Sequence, residues 1–470
     1  MDKVRSALAA LALVVGTAGA HDGGFIDSFG VEGREQIGFS PFGISLGFVN
    51  FVDLAVQPDG KFVVSATVDN ETSDDIGVLR LNPNGTLDTN FGIQGQRITG
   101  FDGGGANNDV ATSVLLQPNG RIVICGQASG DPDMNGSDFG IVRLTASGAL
   151  DTQFNADGRT TVAFDLGPIG DRDDFAIRCS LQADGKIVAA GQAQIDTDGN
   201  SRMAVARLET DGTRDTGFNG AGTATVDFGP AFPSSTAFSV KSLDDGDTLL
   251  IGFAGSADTV TAASWAFARL DADGTLDAAF GNGGIQLFDP GVPGYIAVEA
   301  LDAVVLPDGS FVAAGIMRLT STANLDVGIF KLTASGNLDA SFGAGGGQII
   351  PFDLGSLNSD LAVEIVEDGQ GRFVVVGFSA TNSAQTTNLV RLTQDGELDP
   401  AFGVNGKLTV ASAPPPNPDA GDVGTTLGLT ADGGILIGSA ASTTESPSGL
   451  YIGLAKIVAD TIFDNGFDLD

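Results

Sequence analysis

The chain has 470 residues, 42% hydrophobic and 17% charged, with 68 glycines, 18 prolines and a net charge of −36. That apolar share is enough for a packed core, and so acidic a surface excludes phosphate backbones and anionic membrane surfaces as partners. One histidine, His21, and two cysteines, Cys125 and Cys179, exclude a Ser–His–Asp triad, a multi-histidine metal site, a zinc ribbon and a framework of disulfides.

The chain opens with an export signal. Lys3 and Arg5 supply the positive end, Ser6 to Val15 the short apolar segment, and Ala18-Gly19-Ala20 the small residues of a cleavage site. The apolar run is too short to span a bilayer. Residues 1–20 are therefore expected to be removed after Ala20, leaving a protein that is secreted, periplasmic or held at the cell surface, without a membrane span.

From Asp27 onward one phrase returns. It reads "FIDSFG" at Asp27, "TLDTNFG" at Asp88, "ALDTQFN" at Asp151, "TRDTGFN" at Asp215, "TLDAAFG" at Asp277, "NLDASFG" at Asp339, "ELDPAFG" at Asp399 and "IFDNGF" at Asp464. The intervals are 61, 63, 64, 62, 62, 60 and 65 residues, so eight anchors bound seven units. Each unit holds four short runs rich in Val, Ile, Leu and Phe, separated by Gly, Pro, Asn and Asp, which is the signature of strands. No segment keeps a helical period. Strand A precedes a tight hairpin turn such as "QPDGK", strand B follows it, strand C reads like "IVRLT" and strand D like "QRITGF". Four strands every sixty-odd residues predict an all-β, seven-bladed β-propeller of four-stranded antiparallel blades. The N-terminal strand, about residues 34–39, has no blade of its own and is expected to close the ring by completing the last one. That exchange leaves no open sheet edge at the seam. Residues 21–465 then form one propeller domain, and 466–470 a short acidic tail.

The unit resembles the delta-60 repeat, a bacterial propeller-forming repeat of unknown function. The resemblance is carried by "AVQPDGKFVVSA", "LLQPNGRIVICGQ" and "SLQADGKIVAAGQ", each followed by its "LDxxFG" phrase. It implies a fold and an exported setting, and no reaction. The fourth unit departs from it, with "SLDDGDTLLIGF" and with Arg214 where leucine is usual.

A residue needed for catalysis is needed once, so the recurring anchor Asp and Phe read as scaffold. The short acid accepts backbone N–H bonds in its turn, and the ring plugs the seam between neighbouring blades. A cation recurs in strand C, at Arg80, Arg143, Arg207, Arg269, Lys331, Arg391 and Lys456. It reads as one ion pair per blade with the anchor acid. Both cysteines sit in strand-like apolar segments, which favours buried thiols over a bridge.

Individuality lies elsewhere. The D–A and B–C loops share one face and vary in sequence, so a ligand site is expected there. At the entry to strand A four units carry an acid, Asp109, Asp174, Asp360 and Asp422, where the others have Val49, Ser235 and Val298. Those four carboxylates are the candidate ligands for calcium, which takes six to eight oxygens; the alternative is a local turn bond in each unit. The function expected is a monomeric binding or scaffold module for a protein or small-molecule ligand. The alternatives are a hydrolase or lyase with a carboxylate site at the channel mouth, and a purely structural surface protein.

Overall fold

The computed structural model describes residues 24–26, 28–38, 52–69, 73–101, 108–129, 136–167, 172–256, 259–322, 324–352, 359–380, 385–410, 422–443 and 446–459. The export signal, His21, Val49, Asp464 and the acidic tail lie outside them. Every regular element among the described residues is a strand, and none of their segments is a helix long and apolar enough to cross a membrane.

The second unit shows the plan. Strand A (Val110–Leu116), strand B (Ile122–Ser129), strand C (Gly136–Leu144) and strand D (Arg159–Val162) pair in that order, each antiparallel to the next. The A–B connection is a three-residue loop, closed by Gln117 N–H donating to the Arg121 carbonyl at 2.9 Å. Gly120 takes φ 81° there, a left-handed conformation that favours glycine. Asn119 Oδ1 accepts the Arg121 N–H at 3.0 Å. Asn119, Gly120 and Arg121 thus each have a physical task in the turn.

Three sheets hold four strands, and two hold eight. Each of the larger pair is two four-stranded units joined by a parallel contact, Arg172 and Asp173 with Gly136 and Ser137 in one and Leu325 with Ser359 in the other. Strand A carries a bulge in most units, and the facing glycine of strand B is held tight against it. A Cβ on Gly126 would lie 1.8 Å from the Val110 carbonyl oxygen.

The N-terminal strand (Arg34–Ile37) lies antiparallel to the last described strand (Ser446–Val458), from Arg34 opposite Ala455 to Ile37 opposite Ile452. It therefore occupies the strand D place of the last unit. The apolar clusters lie between units rather than inside them. One joins Val188, Val205 and Phe218 of the third unit to Val240, Leu250 and Leu270 of the fourth. Another joins Phe62, Val64 and Leu79 of the first unit to Leu436, Ile452 and Leu454 of the last. Each sheet buries both faces, so strands B and C read as continuous apolar runs instead of alternating ones.

Cys125 and Cys179 form a disulfide, with Cα atoms 6.2 Å apart, within the range a bridge needs. The expectation of buried free thiols is corrected. Strand B of the second unit and strand A of the third face each other across one seam, which brings together two cysteines 54 residues apart.

Candidate functional site

The recurring residues build the outer seams. In the second unit Asp151 Oδ1 accepts the Gln153 N–H at 3.1 Å, and Arg143 Nε donates to its Oδ2 at 2.8 Å. The same guanidinium donates to the Thr210 carbonyl of the next unit at 2.5 Å and stacks on Phe154 at 4.6 Å. Phe154 is fully buried, and a Cβ on Gly212 of the next unit would fall 2.8 Å from its ring. Arg80, Arg207, Arg269 and Arg391 repeat the arrangement with Asp88, Asp215, Asp277 and Asp399. Lys331 pairs with Asp339 at 3.1 Å. Lys456 pairs with Asp432 at 2.6 Å, the anchor Asp464 lying outside the described residues. A second cation after the A–B turn joins the anchor acid in several units, as Lys61 does with Asp88 and Lys186 with Asp215, both at 2.8 Å. These partners hold the carboxyl of Asp88, through Lys61 first, down at about 2. In the fourth unit Asp247 stands at the position of that second cation, and Asp247, Asp271 and Asp277 bring their oxygens within 4.8 Å of one another. Burial, then Asp245 and Asp271, raise the pKa of Asp247.

Among the described residues, Asp109, Asp174 and Asp360 form no group of that closeness, and the side chain of Asp422 lies outside the described residues. Each of the three is buried and clamps its own loop. Asp109 accepts the Phe101 N–H at 2.6 Å and the Ser129 N–H at 3.0 Å. Asp360 accepts the Phe352 N–H at 2.7 Å and the Ser379 hydroxyl. Asp174 accepts the Phe164 N–H at 2.7 Å, while its other oxygen is buried without a hydrogen bond. Burial, against the backbone N–H bonds of Phe164 and Asp165 and aided by the charge of Asp138, pushes the Asp174 carboxyl up to about 7.

Two features stand out where the units differ. The first is a charged cluster on the inner strands. Four residues before each A–B turn stand Asp53, Ser113, Arg178, Ser239, Asp302, Glu364 and Thr426. Several of them accept a backbone N–H from the next unit: Val114 to Asp53 at 2.7 Å, Ile365 to Asp302 at 3.2 Å, and Leu427 to Glu364 at 3.0 Å. Leu54 of the first unit donates in the same way to Thr426 of the last, at 3.4 Å. Arg178 of the third unit reaches Asp53 of the first at 3.2 Å and Glu364 of the sixth at 3.9 Å. Lys241 meets Asp302 at 2.7 Å. Burial lowers the pKa of Arg178, but Asp53, Glu364 and Asp302 outweigh it, so the net shift is upward. Burial raises Glu364 to about 7 against the pull of Arg178. The motif reading passed over this cluster because each position differs from its counterparts. Its signal was mixed charge at one register position.

The second feature is a cavity of about 290 Å³ on the side of the variable loops. Phe228, Pro230, Phe232 and Pro233 of one D–A loop form an apolar wall, flanked by Ile195 of a B–C loop and Ser201 at the start of the following strand C. Arg202 and Asp227, also in the lining, pair at 2.7 Å and remain partly exposed. Asp227 further accepts the Gly229 N–H at 2.8 Å. Asp196 is occupied by its own turn, accepting from the Asn200 side chain at 2.8 Å and the Asn200 N–H at 3.0 Å. The volume sits at the lower end of the ~300–1,000 Å³ of small-molecule sites.

Repeated four-stranded antiparallel units with inter-unit cores define an all-β protein of propeller type. Residues 57–91, 117–154, 182–218, 251–280 and 371–402 match the profile of a family described as a domain of unknown function forming a β-propeller, DUF5122, and a propeller-repeat family is thereby supported. No curated protein matches the chain. Among solved structures the chain is similar to the polysaccharide lyase Uly1, at 11% identity and TM-score 0.48, covering 92% of this chain and 93% of that one. It is also similar to the β-propeller domain of the trilobed protease from Pyrococcus furiosus, described as having an open velcro topology, at 9% identity and TM-score 0.40, covering 88% and 95%. The intramolecular trans-sialidase from Ruminococcus gnavus follows at 11% identity and TM-score 0.38, covering 87% and 94%. At such scores none of them bears on activity.

Proposed function

We propose that the chain is an exported binding module, a seven-bladed ring of delta-60-type repeats that takes its ligand on the face of the D–A and B–C loops. The observation that carries this reading is the 290 Å³ cavity, built from one D–A and one B–C loop on the variable side of the molecule. The ring is supported by the Arg34–Ile37 strand on the last unit and by the Thr426–Leu54 bond from last unit to first. Export is supported by the buried disulfide, since such bridges form and persist in oxidising compartments. Screening residues 21–470 against a fragment library by ligand-observed NMR tests the reading. Fragments should bind unchanged, and a Phe232→Ala variant should lose them. Conversion of a bound fragment would overturn it in favour of an enzyme.

A hydrolase or lyase is the second reading, and one observation favours it. On the inner strand Tyr295–Val305, burial raises the pKa of the half-buried Glu299, the setting of a general acid. A Glu299→Gln variant that abolished turnover of a glycan substrate would establish it.

A further inference from the structure

The molecule shows three times how the space beside a D–A loop is filled. The residue two positions after strand D offers its backbone N–H, and the strand-entry acid accepts it: Phe101 to Asp109, Phe164 to Asp174, Phe352 to Asp360, at 2.6–2.7 Å. Between the fourth and fifth units the donor position is Pro290, which has no N–H, and the entry residue is Val298, which has no acceptor. At these four described seams donor and carboxylate are present together or absent together. The seam between the third and fourth units breaks this rule. Strand D there ends at Val226, so the donor position is Phe228, but the entry residue is Ser235. The Ser235 hydroxyl is committed to the Met203 N–H at 2.9 Å. Phe228 and Ser235 both line the 290 Å³ cavity.

We propose that this cavity binds a carboxylate carried on an apolar body, the ligand's carboxylate standing where Asp109, Asp174 and Asp360 put their own. The inference rests on the binding-module reading and names the ligand class. Phe228 N–H supplies a charge-assisted hydrogen bond. Arg202, at the edge of the cavity and partly exposed, gives one Nη to Asp227 and has further guanidinium donors to share with the ligand's carboxylate. Both nearby acids are already engaged, Asp227 by Arg202 and Gly229 N–H, Asp196 by Asn200. Phe228, Phe232 and the two prolines receive the apolar body.

The test is calorimetric titration of residues 21–470 with phenylacetate, with phenethylamine, and with a tripeptide ending in phenylalanine as free acid or as amide. Phenylacetate should bind and phenethylamine should not. Whether the tripeptide acid binds, against its amide, separates a free acid from a chain terminus as the source. Ser235→Asp builds the missing carboxylate into the chain, so it should weaken phenylacetate binding by about tenfold or more while raising Tm. Lys331→Arg, at a seam outside the cavity lining, should leave binding within about twofold. Phenylacetate binding that survives Ser235→Asp overturns the assignment. Phenethylamine bound in its place, and expelled by Ser235→Asp, overturns the carboxylate assignment and leaves the binding module standing. A cavity that takes no probe or fragment of any charge overturns both.

Discussion

The outer seams and the inner strands are made from the same repeat, yet they are solved differently. At the outer seams Arg80, Arg143, Arg207, Arg269 and Arg391 each meet an anchor acid and stack over an anchor phenylalanine. One local solution is copied from unit to unit. Along the inner strands the equivalent positions are filled by acids, a base and hydroxyls, and Arg178 spans three units. Copying is sufficient where every neighbour is alike. Where the inner strands converge, a copied charge would face its own copies, and like charges brought together out of water are costly. The inner cluster therefore has to differ from unit to unit.

That contrast is most exposed to failure at Arg178. Replacing it by Met leaves Asp53 and Glu364 buried without their cation, which is expected to cost ~3–5 kcal/mol in chemical denaturation. Adding Glu364→Gln should recover part of the loss. A loss no larger than that from one seam arginine would end the claim that the inner cluster is special.

Asp174 comes next, and its effect depends on pH. Its carboxyl is held near 7, above the 3.8 of an unperturbed aspartate, so the folded state prefers the proton. The resulting penalty is absent below about pH 4, grows between 4 and 7, and is complete above that. Asp174→Asn, which keeps an acceptor for Phe164 N–H, should stabilise at pH 8 by up to ~4 kcal/mol and hardly at all at pH 4. Equal melting shifts at both pH values would contradict the assignment.

The seams should answer uniformly and more weakly. Arg143→Met and Arg207→Met are each expected to cost ~1.5–3 kcal/mol, because Arg121 and Lys186 still hold the two anchor acids. Two values differing several-fold would show that the seams are not copies. The smallest effect is expected where lysine replaces arginine. Lys331→Arg restores the planar donor and should add under ~1 kcal/mol in the same denaturation assay.

The anchor phrase was readable because its physics is local. Asp151 needs only the N–H two residues on and the arginine of its own strand C, and spacing alone reveals both. The four-stranded units, the A–B turns and the pairing of residues near 34 with the end of the chain were readable for a similar reason. Strand signals and a count of missing strands were enough. The cysteines show where that reading stopped. Cys125 and Cys179 each look like a core thiol, and only the packing of one unit on the next brings them to bridging distance. Asp109, Asp174 and Asp360 were singled out because other units lack the acid, and each accepts a backbone N–H from its own loop.

By itself the sequence determined the repeat, the strand content and the residues that each turn and seam requires, since these depend on contacts within a unit or copied between neighbours. Tertiary structure alone decided which unlike residues meet. Arg178 sits between Asp53 and Glu364, and Ser235 beside Phe228 leaves a cavity where three other seams hold a carboxylate. Such contacts join positions far apart in the chain and are made once, so no periodicity announces them. They exist because stacked sheets turn distant side chains towards a common space, and each space must then be filled by charge, by an apolar group or by a ligand.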